Sequence, residues 1–322
     1  MLRVCGMRRA ALAGLFTLGV PIWSAPVRGQ SPALDSAQLM ADISALAADS
    51  MEGRRVGTPG GARARAYLLR ALARIGVTPG ADSFSAPFQT KDRSGSVIHG
   101  VNLVALVRGS RHADRYVVVS AHYDHLGIRG REIFHGADDN ASGTAGVLAL
   151  AQWFARHAPE NSIIFVLFDG EESGDLGSKA FVESPPVPLE RIVANVNLDM
   201  VSRNARGELY AAGASPYPVF KPLLDSTAAV SSVKLLLGHD TGRGESNWTH
   251  QSDQGSFADR NIPFVYFGVE DHADYHRPTD TVERIQPGFF VRSVQTVAEF
   301  VSRLDHNLDR VAAVRAGPHP RT

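Results

Sequence analysis

Tyr116-Val117-Val118-Val119-Ser120-Ala121, followed at once by His122-Tyr123-Asp124, sets a nearly unbroken apolar run against a histidine and a carboxylate. Such a run has no polar face to turn to water. It therefore predicts a strand buried on both sides, as in helix-covered parallel sheets. Ser162–Phe168 repeats the arrangement before Gly170-Glu171-Glu172, and Val193–Leu198 does so before Asp199-Met200. Ile262–Gly268 precedes Tyr275-His276 at a longer interval. Val101–Val107 reads as a further strand, and residues 77–100, rich in Gly, Pro and Ser, as loop with an edge strand.

Helical patterns fall between these runs. Asp35–Asp49 begins with Asp35 as N-cap and Gln38 in the capping-box position. Thr58-Pro59 opens a second helix, with Ala64, Tyr67, Leu68, Ala71, Leu72 and Ile75 on one face and Gly76 as its stop. Its Arg63, Arg70 and Arg74 read as a solvated face. Ser142–His157 and Pro287–Leu308 complete the set. The alternation predicts one α/β domain: a mostly parallel mixed sheet covered by helices on both faces.

The chain has 322 residues and a formal charge of zero, enough length for a sizeable core and no bias toward nucleic acid. Arg3, Arg8 and Arg9 precede the apolar stretch Ala10–Val20, which is too short for a membrane-spanning helix of about 20 residues. Residues 1–29 are thus expected to be a secretory signal peptide cut near Gly29, with residues 30–322 as the functional domain in the periplasm or outside the cell. No later run is long and apolar enough for an integral membrane segment. The only cysteine, Cys5, falls in that leader, so any metal in the mature domain would be held by nitrogen and oxygen.

In open α/β sheets ligands bind outside the carboxyl ends of the strands, where His122, Glu171, Glu172, Asp199 and His276 are expected to meet. Asp139, just before the Ser142 helix, can join them. Two histidines, two carboxylates and a bridging carboxylate would give each of two zinc ions three protein ligands and leave open positions for water and substrate. One glutamate must stay off the metal to move protons. Together these features point to a metal-dependent hydrolase.

The segments SAHYDHLG (120–127), GADDNASG (136–143), FDGEESGDLGS (168–178), NLDM (197–200) and YHRPTDT (275–281) resemble the M28 family of zinc peptidases, to which glutaminyl cyclases are also related. The likeness extends to DSMEGRRVGTPG at 49–60. It implies a zinc exopeptidase architecture, with His122 and Asp199 on one zinc, Glu172 and His276 on the other, and Asp139 bridging them. It further implies Glu171 as general base for a water between the metals, Asp124 fixing the His122 tautomer, and Tyr275 donating to the oxyanion. The implied activity is removal of N-terminal residues from peptides. The alternatives are a glutaminyl-peptide cyclotransferase, a carboxypeptidase, for which no basic clamp is visible, or a non-catalytic binding module.

Other residues have plainer readings. Asp138 and Asp175 are expected as turn residues or caps, and His125, His135, His250 and His272 as loop or surface histidines, with His272 close enough to His276 to substitute for it. Asp280 could orient His276 or cap a turn. Gln254 stands where many relatives carry histidine. The sequons at Asn140 and Asn247 read as chance matches. Gly238–Phe257 is expected to wall the substrate pocket, with Trp248 or Phe257 touching the substrate. Residues 62–122 leave no room for an inserted domain.

Overall fold

The computed structural model describes residues 1–2, 32–91, 95–242 and 246–315. By its contacts the chain divides into Met1–Gln30 and Ser31–Thr322, and all the described helices and strands lie in the second unit. Apart from Met1 and Leu2, the expected signal peptide lies outside the described residues.

Helices α1 (Ser36–Leu46) and α2 (Pro59–Ile75) start where their caps predict: Asp35 accepts from the Gln38 amide, Thr58 from the Gly61 amide, and Gly76 closes α2 in the left-handed region. The Gln38 side chain does not turn back as a capping box would. It reaches Asp42 instead. Strands β1 (Thr78–Pro79), β2 (Ser85–Lys91), β3 (Val97–Val107) and β4 (His112–His122) follow, then a small hairpin of β5 (Gly127–Arg129) and β6 (Glu132–Phe134). Helix α3 (Gly143–Arg156) leads to β7 (Asn161–Phe168), α4 (Leu176–Glu183) and β8 (Ile192–Leu198). The chain closes with β9 (Glu208–Ala212), α5 (Lys221–Ala228), β10 (Lys234–Leu237), α6 (Gln254–Ala258), β11 (Phe264–Gly268), α7 (Pro287–His306) and α8 (Leu308–Arg315).

Nine of these strands form one sheet, in the order β1-β3-β7-β4-β8-β11-β9-β10, with β2 also paired to β3. Its centre is parallel: β4 lies between β7 and β8, and β8 beside β11. Its flanks turn antiparallel, at β3 with β7 and at β11 with β9.

The central strands are buried on both faces, as their sequences require. Val117, Val119 and Ala121 of β4 join the larger core with Leu68, Leu148, Val297 and Phe300, while Val118 joins a second core with Phe181 of α4 and Phe257 of α6. Helices thus cover both faces. Burying several such side chains at about 1.5–3 kcal/mol each is what fixes the register of the strands, and with it the positions of the loops at their ends.

Candidate metal centre

Because β4, β7, β8 and β11 run parallel, their carboxyl ends share one rim. His122 is the last residue of β4, Asp199 comes directly after β8, and Glu171 and Glu172 come after β7 and a turn at Gly170, which sits at φ 81°. His276 arrives on the loop after β11 with φ 54°, a conformation that costs a residue with a Cβ and persists where the surroundings impose it.

Asp139 is the hub of the cluster. Its Oδ1 lies 3.6 Å from His122 Nε2, and its Oδ2 lies 3.1 Å from His276 Nε2. His122 Nε2 is also 3.4 Å from Asp199 Oδ1, and His276 Nε2 is 3.3 Å from Glu172 Oε2. Two clusters of imidazole and carboxylate donors therefore meet at one carboxylate.

The loop holding Asp139 is fixed by buried hydrogen bonds. The Asp280 carboxylate accepts from the backbone amides of both Asp138 and Asp139, so it braces this loop and has no bond to His276. Asn140 donates to the Leu198 carbonyl and accepts from the Gly143 amide. A fully buried side chain used at both ends leaves no place for a glycan. Asp138, one residue before the hub, turns away. It is buried, accepts from the Ser202 amide and hydroxyl through Oδ1, and pairs with His272 Nε2 at 3.0 Å through Oδ2. His272 is therefore committed to Asp138 rather than available to the cluster, and Asp138 is more than a turn residue.

The N-terminal segment reaches into the same region. Arg54, fully buried, donates to the carbonyls of Leu46, Tyr123, His135 and Gly136. Burial lowers its pKa to about 10, with Asp139 and Asp124 acting the other way. It remains a cation at neutral pH.

Two expectations need correction. His125 is not a surface histidine: it is fully buried, and its Nδ1 lies 2.7 Å from Glu172 Oε1 and 3.7 Å from Asp139 Oδ2. It does lie on a loop, as expected, but that loop follows β4 inward under the rim and not out to the surface. Phe257 does not face the cleft; it packs with Phe168 and Phe181 in the second core. Trp248 does line the cleft, stacked on His239 at 3.7 Å and set edge-on against Tyr210 and Tyr266.

Asp124 serves Glu171 more directly than His122. Its Oδ1 accepts from the Glu171 amide at 3.0 Å but stands 3.7 Å from His122 Nδ1, which lies closer to the Asp124 carbonyl, at 3.2 Å. Tyr275 stacks on His276 at 3.9 Å and lines the cleft. Gln254 is buried, accepting from Asn197 and donating to the Trp248 carbonyl, so it braces the wall from behind. Asp175 lines the cleft, pairs with Lys179, and stands at the N-cap position of α4 without a side-chain capping bond.

Electrostatically the cluster lacks positive charge. Burial lifts Glu171 well above the usual carboxylate range, with Glu172, Asp199 and Asp253 adding to the shift and His122 opposing it. Burial also lifts Glu172, but His125 and His276 outweigh it and hold that carboxyl far below its ordinary value. Burial lowers His276, yet Asp139 and Glu172 bring it up to about 10.

The donors fit divalent ions of the zinc type. His122, Asp139 and Asp199 place ligand atoms within 4.8 Å of one another, and so do His125, Asp139 and Glu172. Asp199 Oδ1 and Glu172 Oε1 are buried without hydrogen-bond partners, an arrangement that costs free energy unless something else is bound. Imidazole and carboxylate donors suit zinc, and manganese or cobalt as well.

Known proteins share this fold and parts of this sequence. A probable zinc metalloprotease of Pyrenophora tritici-repentis is 37% identical over 118 residues, covering 35% of this chain and 27% of its own. Leucine aminopeptidase 2 of Trichophyton rubrum is 24% identical over 229 residues, covering 64% of this chain and 45% of its own. The chain thus spans less than half the length of these curated relatives. Among solved structures, Porphyromonas gingivalis glutaminyl cyclase aligns with TM-score 0.69 at 19% identity, covering 83% of this chain and 98% of that one. A zinc aminopeptidase from Bacillus subtilis also aligns with TM-score 0.69, at 17% identity, covering 84% and 96%. The family model for peptidase family M28 matches residues 102–301, a span that holds every member of the two donor sets, and the chain belongs to that family.

Proposed function

We propose that this protein is an exported aminopeptidase working with two zinc ions. The observation that carries the reading is the pair of donor sets meeting at Asp139 with Glu171 beside them, its Oε2 3.9 Å from His122 Nε2. Zinc ions held there would lower the pKa of water and polarise a substrate carbonyl.

The chain's own residues supply the remaining steps. Glu171, raised above the usual carboxylate range by burial and its carboxylate neighbours, takes a proton from the attacking water and returns it to the departing amine. Asp124 fixes the Glu171 backbone through its amide, and so the aim of that carboxyl. The Tyr275 hydroxyl, pushed upward chiefly by burial, stays protonated and donates to the developing oxyanion.

Charge selects the N-terminal end of a peptide. Among the described residues lining the cleft there is no lysine or arginine to clamp a terminal carboxylate, whereas its several carboxylates suit an α-ammonium. The relative named leucine aminopeptidase supports this choice. Trp248 would meet the first side chain. Export rests on the basic and apolar pattern of residues 1–20. No helix among the described residues is long and apolar enough to cross a membrane.

A glutaminyl cyclase is the second reading, favoured by the structural likeness to the Porphyromonas gingivalis enzyme. Cyclisation releases ammonia from an N-terminal glutamine and consumes no water. The two donor sets, with a base beside them, favour hydrolysis. The test is metal content together with amine release from a panel of aminoacyl anilides and ammonia release from a glutaminyl peptide. Two zinc ions and chelator-sensitive anilide cleavage are expected. Turnover of the glutaminyl peptide alone would select the cyclase, and no turnover of either by the di-zinc protein would overturn the reading.

A further inference from the structure

We infer that Gln254 is a positioning residue for substrate selectivity: it ties the main chain of Trp248 to the strand that delivers Asp199, and so sets where the selective wall stands relative to the metal end of the cleft. This rests on the peptidase reading above and extends it to what limits the substrate's first side chain.

The tie is a row of buried polar side chains. Ser120, Asn197 and Gln254 are fully buried, and Ser252 is nearly so. Ser120 follows Val118 of the second core by two residues, and Asn197 stands opposite it on β8. Ser120 Oγ donates to Asn197 Oδ1 at 2.8 Å. Asn197 Nδ2 donates to Gln254 Oε1 at 2.9 Å and to Ser252 Oγ at 3.1 Å. Gln254 Nε2 donates to the Trp248 carbonyl at 2.6 Å.

The row has one polarity. A carbonyl only accepts, so Gln254 must turn its amino group to Trp248, which leaves its oxygen for Asn197. Asn197 must then donate to Gln254 and take the Ser120 hydroxyl on its own oxygen. Flipping either carboxamide would set donor against donor and acceptor against acceptor. Unpaired amides are costly in a dry interior, so the geometry is held tightly.

Trp248 needs such a hold. It begins a single turn, Trp248–His250, which is too short to be stable by itself. Its amide donates to the His239 carbonyl at 2.7 Å, and its carbonyl also accepts from the Gln251 amide at 3.3 Å, both within the same stretch of chain. Gln254 links that carbonyl to the sheet. Asn197 stands two residues before Asp199, and Asp199 and Trp248 both line the cleft. The room between metal end and wall therefore depends on the two hydrogen bonds of one carboxamide.

Steady-state kinetics on leucyl and alanyl anilides tests this, with wild type, Gln254→Met, Trp248→Ala and the double variant compared. Gln254→Met keeps the bulk and removes both bonds, while Asn197 keeps Ser120 and Ser252 as partners and the Trp248 carbonyl keeps Gln251, so the variant should fold. It should lower the leucyl-to-alanyl ratio of kcat/KM by about 3- to 10-fold, the range for one interior hydrogen bond, through the leucyl KM. In the Trp248→Ala background it should lower the ratio no further. The same fall in both backgrounds, or an unchanged ratio in folded Gln254→Met, would overturn the inference. Acrylamide quenching reads the wall without substrate: Gln254→Met should make a tryptophan more accessible, and the increase should vanish when Trp248→Phe is added. Quenching unchanged by Gln254→Met would also overturn the inference. Absence of turnover of both anilides by zinc-loaded wild type would instead overturn the peptidase reading.

Discussion

Arg54 and Gly136 lie 82 residues apart, yet the guanidinium of the first donates to the carbonyl of the second at 2.8 Å. The same side chain reaches Tyr123 and His135, so one buried fork ties the segment before α2 to both loops that flank His122 and Asp139. Arg54→Met should cost at least about 3 kcal/mol, because buried carbonyls would lose their donor. Denaturant unfolding of chelated protein measures this without interference from bound metal. Arg54→Lys should recover only part, since a point-charge ammonium cannot reproduce the planar fork. Full recovery would show that charge alone matters.

On the proposed function, in which Glu171 moves the proton and ligates neither metal, Glu171→Gln should lower kcat by about 10²–10⁴ while both zinc ions stay bound. Metal analysis alongside turnover is the check. Loss of a zinc ion would mean that Glu171 and Glu172 have exchanged roles.

Trp248→Ala should reduce kcat/KM for a bulky apolar first residue about 10-fold, corresponding to about 1.4 kcal/mol of lost apolar contact, with little change for alanyl substrates. Zinc content should be unaffected. An equal loss across the substrate panel would place Trp248 in the support of the site instead of in its selectivity.

Away from the site, Tyr67 of α2 donates to Asp42 of α1 at 2.5 Å. Burial raises Asp42 above its ordinary 3.8, and the bonds from Tyr67 and Gln38 only partly offset this. A carboxyl whose folded pKa is raised gains stability as pH falls through that pKa toward 3.8, since the folded state binds the proton more tightly. Tyr67→Phe removes a donor to the buried carboxylate and should cost about 1–3 kcal/mol at pH 7. The penalty should shrink toward pH 4, and urea midpoints of the two proteins at both pH values give the comparison. An equal penalty at both would exclude Asp42 as its source.

Much of this architecture is legible in the chain because parallel strands announce themselves. Tyr116–Ala121 and Ser162–Phe168 are apolar without alternation, so their ends, and thus His122, Glu171 and Glu172, can be placed on one rim. The antiparallel flank is harder to see: β2 is exposed along most of its length and contains Pro87, so it reads as loop with an edge strand. Strands β9 and β10 and helices α4, α5 and α6 are short, and their sequences carry too few periods to declare an element. His125 escapes sequence reasoning because a histidine three residues after a ligand looks the same whether its loop turns outward or under the rim. Only the paired requirement for space at Gly136 hints at it. Asp280 and Asp138 are ambiguous for a related reason: their roles lie in backbone amides and hydroxyls supplied by distant loops.

The aromatic stack at the cleft wall has one more consequence. Trp248 leans on Tyr210 of β9 and on Tyr266 of β11, whose hydroxyl donates to the Asp199 carbonyl at 3.1 Å, and the loop after β11 carries His276. The tool head and the blade share one mounting. A lineage, or an engineer, regrinds the one most safely at Trp248 itself, and not at the strand tyrosines that carry it.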